Sequence, residues 1–479
     1  MLKFVGTPQH FPEVKQPELR KKDFEEIYQQ FNNAQANEQA ARCSQCGIPY
    51  CQIHCPLQNN IPDWLKLTAE GRLEEAYAIS SATNNFPEIC GRICPQDKLC
   101  EGNCVIEKDF GAVTIGSVEK YITETAFENG WVKPISVKKE SGFSVGIIGA
   151  GPAGLAAADM LRRKGHEIHI YDRYDRAGGL LIYGIPNFKL EKEVVARRYK
   201  LLQDSGIIFH LGVDIGGKIP FADLQEKHDA ILIATGVYKS KTMEIPNSSL
   251  DNIVPALTYL TASNRKGLGD KVAEFDSGKL NAEGKTVVVV GGGDTAMDCV
   301  RTAVRQGAKS VTCLYRRDQA NMPGSAREVK NAQEEGVNFQ WFSAPKAFVG
   351  NKKVEQILVQ RMRLSSQDVA GRQQVQPVDG ETLTIAADMV IQALGFDAED
   401  VPTMFGAPDL KVSKYGTISI NQNSFMTNLG GVFAAGDIVR GASLVVWAIK
   451  DGRDAANGIH NYIMSQEAVN NLAAKRNVA

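Results

Sequence analysis

Ser144-Val-Gly-Ile-Ile-Gly149-Ala150-Gly151-Pro152-Ala153-Gly154 decides how this chain is read. A short β-branched run meets a glycine-rich turn, and an alanine-rich helical pattern follows from Leu155. The apolar run reads as a buried parallel strand. Gly149, Gly151 and Gly154 form G-x-G-x-x-G at the strand-to-helix turn. Gly149 permits the tight turn, Gly151 lets a pyrophosphate approach the backbone, and Gly154 lets helix and strand pack closely. The helix N-terminus then offers unpaired N–H groups to the phosphates. Ile168 to Tyr171 reads as the next strand, and Asp172 ends it, where an acid binds a ribose 2′-OH.

The chain has 479 residues, enough for about three domains. Net charge is −1, which suggests neither a nucleic-acid nor a membrane-surface partner. The N-terminal residues show no apolar signal core and no run long enough to span a bilayer, so a cytoplasmic protein is expected. Of ten cysteines, eight lie between Cys43 and Cys104. Thiols in that compartment stay reduced, so crowding argues for metal rather than disulfides.

Residues 1 to about 40 are polar. Lys21 to Ala41 admits a helix with Phe24, Ile27, Tyr28 and Phe31 on one face, and the segment reads as a tethering arm without chemistry. Cys43, Cys46, Cys51 and Cys55-Pro56 follow with C-x2-C-x4-C-x3-C-P spacing, then Cys90, Cys94-Pro95, Cys100 and Cys104. Zinc sites usually pair two C-x2-C steps or add histidines, and His54 is the only histidine here. Closely spaced cysteines ending in Cys-Pro are the ferredoxin pattern, so iron–sulfur clusters fit better than zinc. By that analogy Cys43, Cys46 and Cys51 hold one cluster and Cys55 crosses to a second. Trp131 to Gly142 reads as a linker.

The nucleotide theme then repeats. Thr286 to Val290 reads as a strand, Gly291-Gly292-Gly293-Asp294-Thr295-Ala296 gives G-x-G-x-x-A, and a helix follows. The next strand, Val311 to Tyr315, ends in Arg316-Arg317 rather than an acid. Arginine accommodates a 2′-phosphate, so the first site should hold FAD or NAD and the second NADP, unless the Arg pair is a solvated strand end beside Asp318. Between the two lie Gly178-Gly179-Leu180 and Gly184-Ile185-Pro186, which are loops near the first site, and the small-residue turn Ala234-Thr235-Gly236. The tail carries Val390 to Gly395 and a strand ending in Gly436-Asp437, followed by a helical run from Leu444. Asp437 reads either as a ligand for a sugar hydroxyl or as a turn residue.

Together these residues resemble the flavoproteins with two dinucleotide-binding domains, arranged as in adrenodoxin reductase. They are fused to an N-terminal helical iron–sulfur domain shared with dihydropyrimidine dehydrogenase, and within that group they resemble the small subunits of NADPH-dependent glutamate synthases. The resemblance implies an α/β fold in which a helical iron–sulfur domain (residues 1–142) precedes two Rossmann-like, three-layer domains. The FAD domain would be split (143–250 and 396–479), with the NADPH domain (251–395) inserted in it.

It further implies FAD on Gly149, Gly151, Pro152, Ala153, Gly154, Asp172, Arg173, Gly179, Leu180, Lys189, Gly236, Gly436, Asp437 and Val445. NADPH would lie on Gly291, Gly292, Gly293, Asp294, Thr295, Arg316, Arg317 and Gly395. Of two 4Fe–4S clusters, one would be held by Cys43, Cys46, Cys51 and Cys104, the other by Cys55, Cys94, Cys100 and Glu119, leaving Cys90 spare. The activity implied is electron input: NADPH reduces flavin, and the clusters relay electrons to a large, FMN-containing subunit that makes L-glutamate from L-glutamine and 2-oxoglutarate. No side chain is expected to act as acid or base, because hydride passes between cofactors. Rival readings are a related ferredoxin-linked, bifurcating or polysulfide oxidoreductase, and a zinc-stabilised nucleotide-binding scaffold.

Overall fold

The computed structural model describes residues 3–366 and 373–478. Its N-terminal part is helical, with helices Asn33–Ala40, Ile61–Ala69, Leu73–Thr83, Pro87–Ile93 and Ile115–Glu128 around a core of Phe31, Trp64, Val118 and Ile122. Proline in the first turn starts two of these helices, where a missing N–H costs nothing. Helices Pro87–Ile93 and Ile115–Glu128 pack backbone to backbone at Gly91, where a Cβ would lie 2.8 Å from the Lys120 nitrogen. That closeness brings Cys90 and Cys94 beside Glu119.

The helix expected over Lys21 to Ala41 is shorter. It begins only at Asn33, where Asn32 and Gln35 form a reciprocal capping box. Upstream, Val14 bridges Tyr28 and the Lys15 N–H donates to the Ile27 carbonyl, so the arm folds back on itself instead of coiling. Ile27 and Phe31 are buried in this extended form. Arg20 is fully buried: its Nη2 donates to Glu334 at 2.8 Å, and its Nε lies 3.0 Å from Glu335 but is misaligned for a hydrogen bond.

Two parallel five-stranded sheets follow. The first runs, edge to edge, Val432–Ala434, Ala230–Ile233, Ser144–Ile148, Glu167–Asp172 and Ile208–Leu211, with Val145 opposite both Ile168 and Ala230. The second runs Ile253–Pro255, Met389–Gln392, Thr286–Val290, Ser310–Leu314 and Asn338–Gln340. One edge strand of the first sheet thus comes from beyond the second, so the second nucleotide unit is inserted in the first. The two crossings lie side by side, where Lys239–Ser240 pairs antiparallel with Phe396–Asp397.

The inserted unit also carries a three-stranded antiparallel sheet, Ser343–Val349, Gln356–Leu364 and Val375–Ala386, bulged at two points. Its last strand is largely exposed and carries no long apolar run. The final helix, Val445–Val478, packs along Pro152–Arg163, with Gly452 tight against the Ala153 carbonyl. No helix among the described residues is long and apolar enough to cross a membrane.

Candidate cofactor and electron-transfer site

The first glycine turn has three different environments at its three glycines. Gly149 has φ +114°, and a Cβ there would lie 2.3 Å from the Ala234 carbonyl. A Cβ on Gly154 would lie 2.0 Å from the Gly149 carbonyl. Gly151 faces open space, with nothing within 4 Å of its would-be Cβ. Turn and packing are therefore filled by protein, and the one free side opens at the N-terminus of Pro152–Arg163, where unpaired N–H groups favour an anion.

Asp172 is 8% exposed and holds this turn: its carboxylate accepts from the Ala150 N–H at 2.7 Å and the Tyr174 N–H at 2.8 Å. Burial pushes its pKa up, and the two N–H donors oppose that rise. Each carboxylate oxygen keeps lone-pair capacity for a sugar hydroxyl. Asp172 lines a pocket with Gly149, Arg173, Thr235, Tyr238 and Glu399. The Thr235 hydroxyl in this wall is buried without a partner. An orphaned buried hydroxyl costs free energy unless something fills the pocket, so these residues fit a dinucleotide.

Arg173 is paired in a fork with Glu399 (3.0 and 2.9 Å) and stacked over Tyr174 and Tyr238. Gly179 lies on Gly151, where its Cβ would be 2.9 Å from the Gly151 Cα, so Leu180 opens a short helix directly over the turn. Gly236 takes φ +71° beside Tyr238, and Gly436, with φ +78°, sits against Ala153. Asp437 begins a short helix beyond it; burial, then Asp451, pushes its pKa up to about 7. Val445 opens the final helix. The Lys189 ammonium lies 2.8 Å from Asp298, on the helix of the inserted unit.

The second turn repeats the first. A Cβ on Gly291 would lie 2.3 Å from the Ala393 carbonyl, one on Gly292 would strike the Tyr315 ring, and Gly293 is open. Asp294 and Thr295 start the helix Asp294–Arg305. The Asp294 carboxylate accepts from the Ser325 N–H at 2.9 Å. Arg316, at the end of the next strand, is exposed, and Arg317 donates to the Gln373 carbonyl at 3.3 Å. Asp318 is occupied by Asn321, and among the described residues it pairs with neither arginine. Gly395, with φ +92°, accepts from the Lys241 N–H at the crossing between the units.

The cysteines fall into two groups. Cys43, Cys46, Cys51 and Cys104 stand close enough to repel one another as thiolates, and burial followed by that repulsion pushes Cys51 up to about 12. Cys55, Cys94, Cys100 and Glu119 line one cavity, together with Cys90, Asn59, Asn84, Gln96 and Val446 among others. Burial pushes Cys55 up to about 11 and Glu119 up to about 8. A hydrogen bond with Cys90, then burial, raises Cys94, and burial raises Cys100.

The Glu119 carboxylate accepts from Asn59 and Asn84 at 3.2 and 3.3 Å. Buried thiols without a cation are costly as thiolates, and iron would supply that charge, so both donor sets fit clusters. Each ligand of a cluster binds a different iron. Such ligands stand further apart than those of a single ion, and among the described residues no three converge on one ion's position.

Sequence reasoning missed Tyr238, Glu399 and the segment Asp97-Lys98, which touches the inserted unit. Only proximity in the fold brings these residues to the sites, and their spacing in the chain carries no signal.

Two glycine turns on inserted parallel sheets, behind a cysteine-lined helical unit, define a pyridine-nucleotide oxidoreductase with an iron–sulfur domain. Residues 143–452 match the family model for pyridine nucleotide-disulphide oxidoreductases, and residues 20–131 match that for dihydropyrimidine dehydrogenase domain II, 4Fe–4S cluster. The chain belongs to the family of glutamate synthase (NADPH) small chains. It is 62% identical to that protein of Azospirillum brasilense over 96% of both chains. It is 46% identical to that of Escherichia coli K12 over 96% of this chain and 98% of the other. Mycobacterium tuberculosis FprA, solved in complex with NADPH, superposes with a TM-score of 0.58 at 19% identity, over 68% of this chain and 85% of that one, a likeness of fold.

Proposed function

We propose that this chain is the electron-input subunit of a glutamate synthase in the cytoplasm. It oxidises NADPH and delivers electrons through two iron–sulfur clusters to a large, FMN-containing chain that forms L-glutamate from L-glutamine and 2-oxoglutarate. When bound, FAD supplies the conversion of a hydride into single electrons, and 4Fe–4S clusters supply their conduction. The names of the close relatives support the subunit reading.

One observation carries the electron path. Val446 lines the cavity of Cys55, Cys94, Cys100 and Glu119, while its neighbour Val445 opens the helix that follows the Gly436–Asp437 turn of the first nucleotide unit. The segment that leaves the Gly436–Asp437 turn thus reaches the second cysteine group at Val446, which supports an electron path between the two.

The chain's own residues bind and orient. Gly151 and the N-terminus of Pro152–Arg163 receive the FAD pyrophosphate, Asp172 takes the ribose hydroxyl, and Thr235 satisfies its orphaned hydroxyl on the dinucleotide. The Gly178–Gly179 loop, whose Gly178 N–H donates to the Ala150 carbonyl, covers that turn and excludes water. Gly293 and Thr295 receive the NADPH pyrophosphate, and Arg316 and Arg317 take the 2′-phosphate. The domain limits are taken as 1–142, 143–250 with 396–479, and 251–395.

Replacing Arg316 by Asp and Arg317 by Ala should raise KM for NADPH at least tenfold and favour NADH, measured as anaerobic flavin bleaching. Glutamate formation should require a large chain. Full turnover of ferredoxin or polysulfide with no such chain, and no glutamate when one is added, would overturn the subunit reading.

A further inference from the structure

Five residues separate Cys94 from Cys100 in the helical unit, and three of them reach into the inserted unit. Lys98 Nζ donates to the carbonyls of Gly324 at 2.9 Å, Met322 at 3.4 Å and Pro323. The Asp97 carboxylate accepts from the Ser325 hydroxyl and the Ala326 N–H, both at 3.0 Å. Ser325 precedes the helix Ala326–Glu334 and does not cap it with its own side chain, so Asp97 supplies the cap from another domain. Gln96 accepts from Arg327 at 2.7 Å.

The segment gripped in this way lies on the second glycine turn. The Gly324 N–H donates to the Gly292 carbonyl at 2.9 Å, and the Ser325 N–H donates to the Asp294 carboxylate at 2.9 Å. Asp294 is the first residue of its helix, where a free carboxylate would repel the phosphates that the helix N-terminus attracts. The Ser325 N–H holds that carboxylate to one side.

We propose that Asp97 and Lys98 are positioning residues for NADPH: they fix segment 322–326, which in turn fixes Gly292 and the charge of Asp294 at the pyrophosphate site. The proposal rests on the assignment of NADPH to the Gly291–Thr295 turn. Its content is that affinity for the coenzyme is set partly from the iron–sulfur domain, by residues that touch neither coenzyme nor cluster.

The test uses the full chain, purified without oxygen. Asp97→Ala and Lys98→Met should each raise the Kd for NADP⁺ and KM for NADPH about tenfold, while kcat at saturation, flavin, iron and sulfide stay at the starting level. Asp97→Glu and Lys98→Arg should recover most of the affinity, which a general loss of packing would not allow. Adding Ser325→Ala to Asp97→Ala should cost less than it costs alone, since the two share one contact. Unchanged Kd in both variants, or loss of iron and sulfide in step with affinity, overturns the inference. If Gly293→Ala and the Arg316/Arg317 substitutions also leave binding unchanged, the assignment of the turn falls with it. If those weaken binding while Asp97→Ala and Lys98→Met do not, only this inference falls.

Discussion

At the scale of single residues, the glycines carry the clearest physical instruction. Gly291 and Gly293 are two positions apart and have opposite surroundings. Gly291 adopts φ +146° with the Ala393 carbonyl where a Cβ would go, whereas Gly293 faces empty space. Gly291→Ala should therefore destabilise the inserted unit by about 2 kcal/mol or more, from strain and overpacking. Gly293→Ala should leave the unfolding midpoint unchanged and, on the proposed assignment of this turn to NADPH, raise KM for NADPH, because its methyl group would stand where the phosphates approach. Urea melts beside steady-state kinetics check the pair; equal stability loss in both would refute the contrast. The sequence carried this motif because a backbone turn needs glycine locally. It gave no hint that Thr235 would be orphaned or that Lys189 would turn to Asp298, since both depend on what packs against them.

At the scale of elements, one tight helix–helix contact in the helical unit lies beside its cysteines. Helices Pro87–Ile93 and Ile115–Glu128 touch at Gly91, with Gly116 O 2.9 Å and Lys120 N 2.8 Å from the would-be Cβ. Backbone atoms cannot step aside as a side chain can, so Gly91→Val should prise the helices apart and draw Glu119 away from Cys94. The expected result is iron and sulfide falling toward half of the starting content, with flavin retained and one cluster signal lost from the reduced spectrum. Full iron content would mean that the helix spacing does not govern the second cysteine group. The cysteine spacing was legible because ligands close in sequence must be close in space. Glu119 is different: it lies 15 residues after Cys104 and was reached through resemblance, and the structure brings it to the cavity of Cys55, Cys94 and Cys100 by helix packing.

At the scale of the whole molecule, the end of the chain closes the first nucleotide unit, and histidines sit in that closure. His166 bonds to His460 of the final helix at 3.0 Å and to Ser141 at 2.8 Å. Burial, then His460 and Lys164, lowers His166 from 6.5 to about 4. His228, between Ser144 and Tyr171, is likewise lowered from 6.5 to about 4, first by burial and then by His169 and Lys227.

Between those values the unfolded chain binds protons that the folded chain does not. The stability that these two histidines contribute is thus full above about pH 6.5, falls as pH drops toward 4, and changes no further below it. Urea midpoints at pH 7.5, 6 and 5 should fall in that order, and His166→Asn should flatten the slope. A slope identical to that of the parent protein would show that His166 is not one of the groups responsible.

By itself the sequence determined both glycine turns, the acid and the arginines at the ends of the neighbouring strands, and the crowding of eight cysteines between Cys43 and Cys104. Each of these is a local demand, of backbone torsion or ligand reach, that only certain residues at fixed spacing can meet. Only the tertiary structure decided that the N-terminal arm buries Arg20 against Glu335 and runs without helix over residues 21–32, that an antiparallel sheet rides on the inserted unit, and that Asp97 and Lys98 grip segment 322–326. Those contacts join residues hundreds of positions apart. Their free energy comes from burial and pairing across domains, and no periodicity along the chain records it.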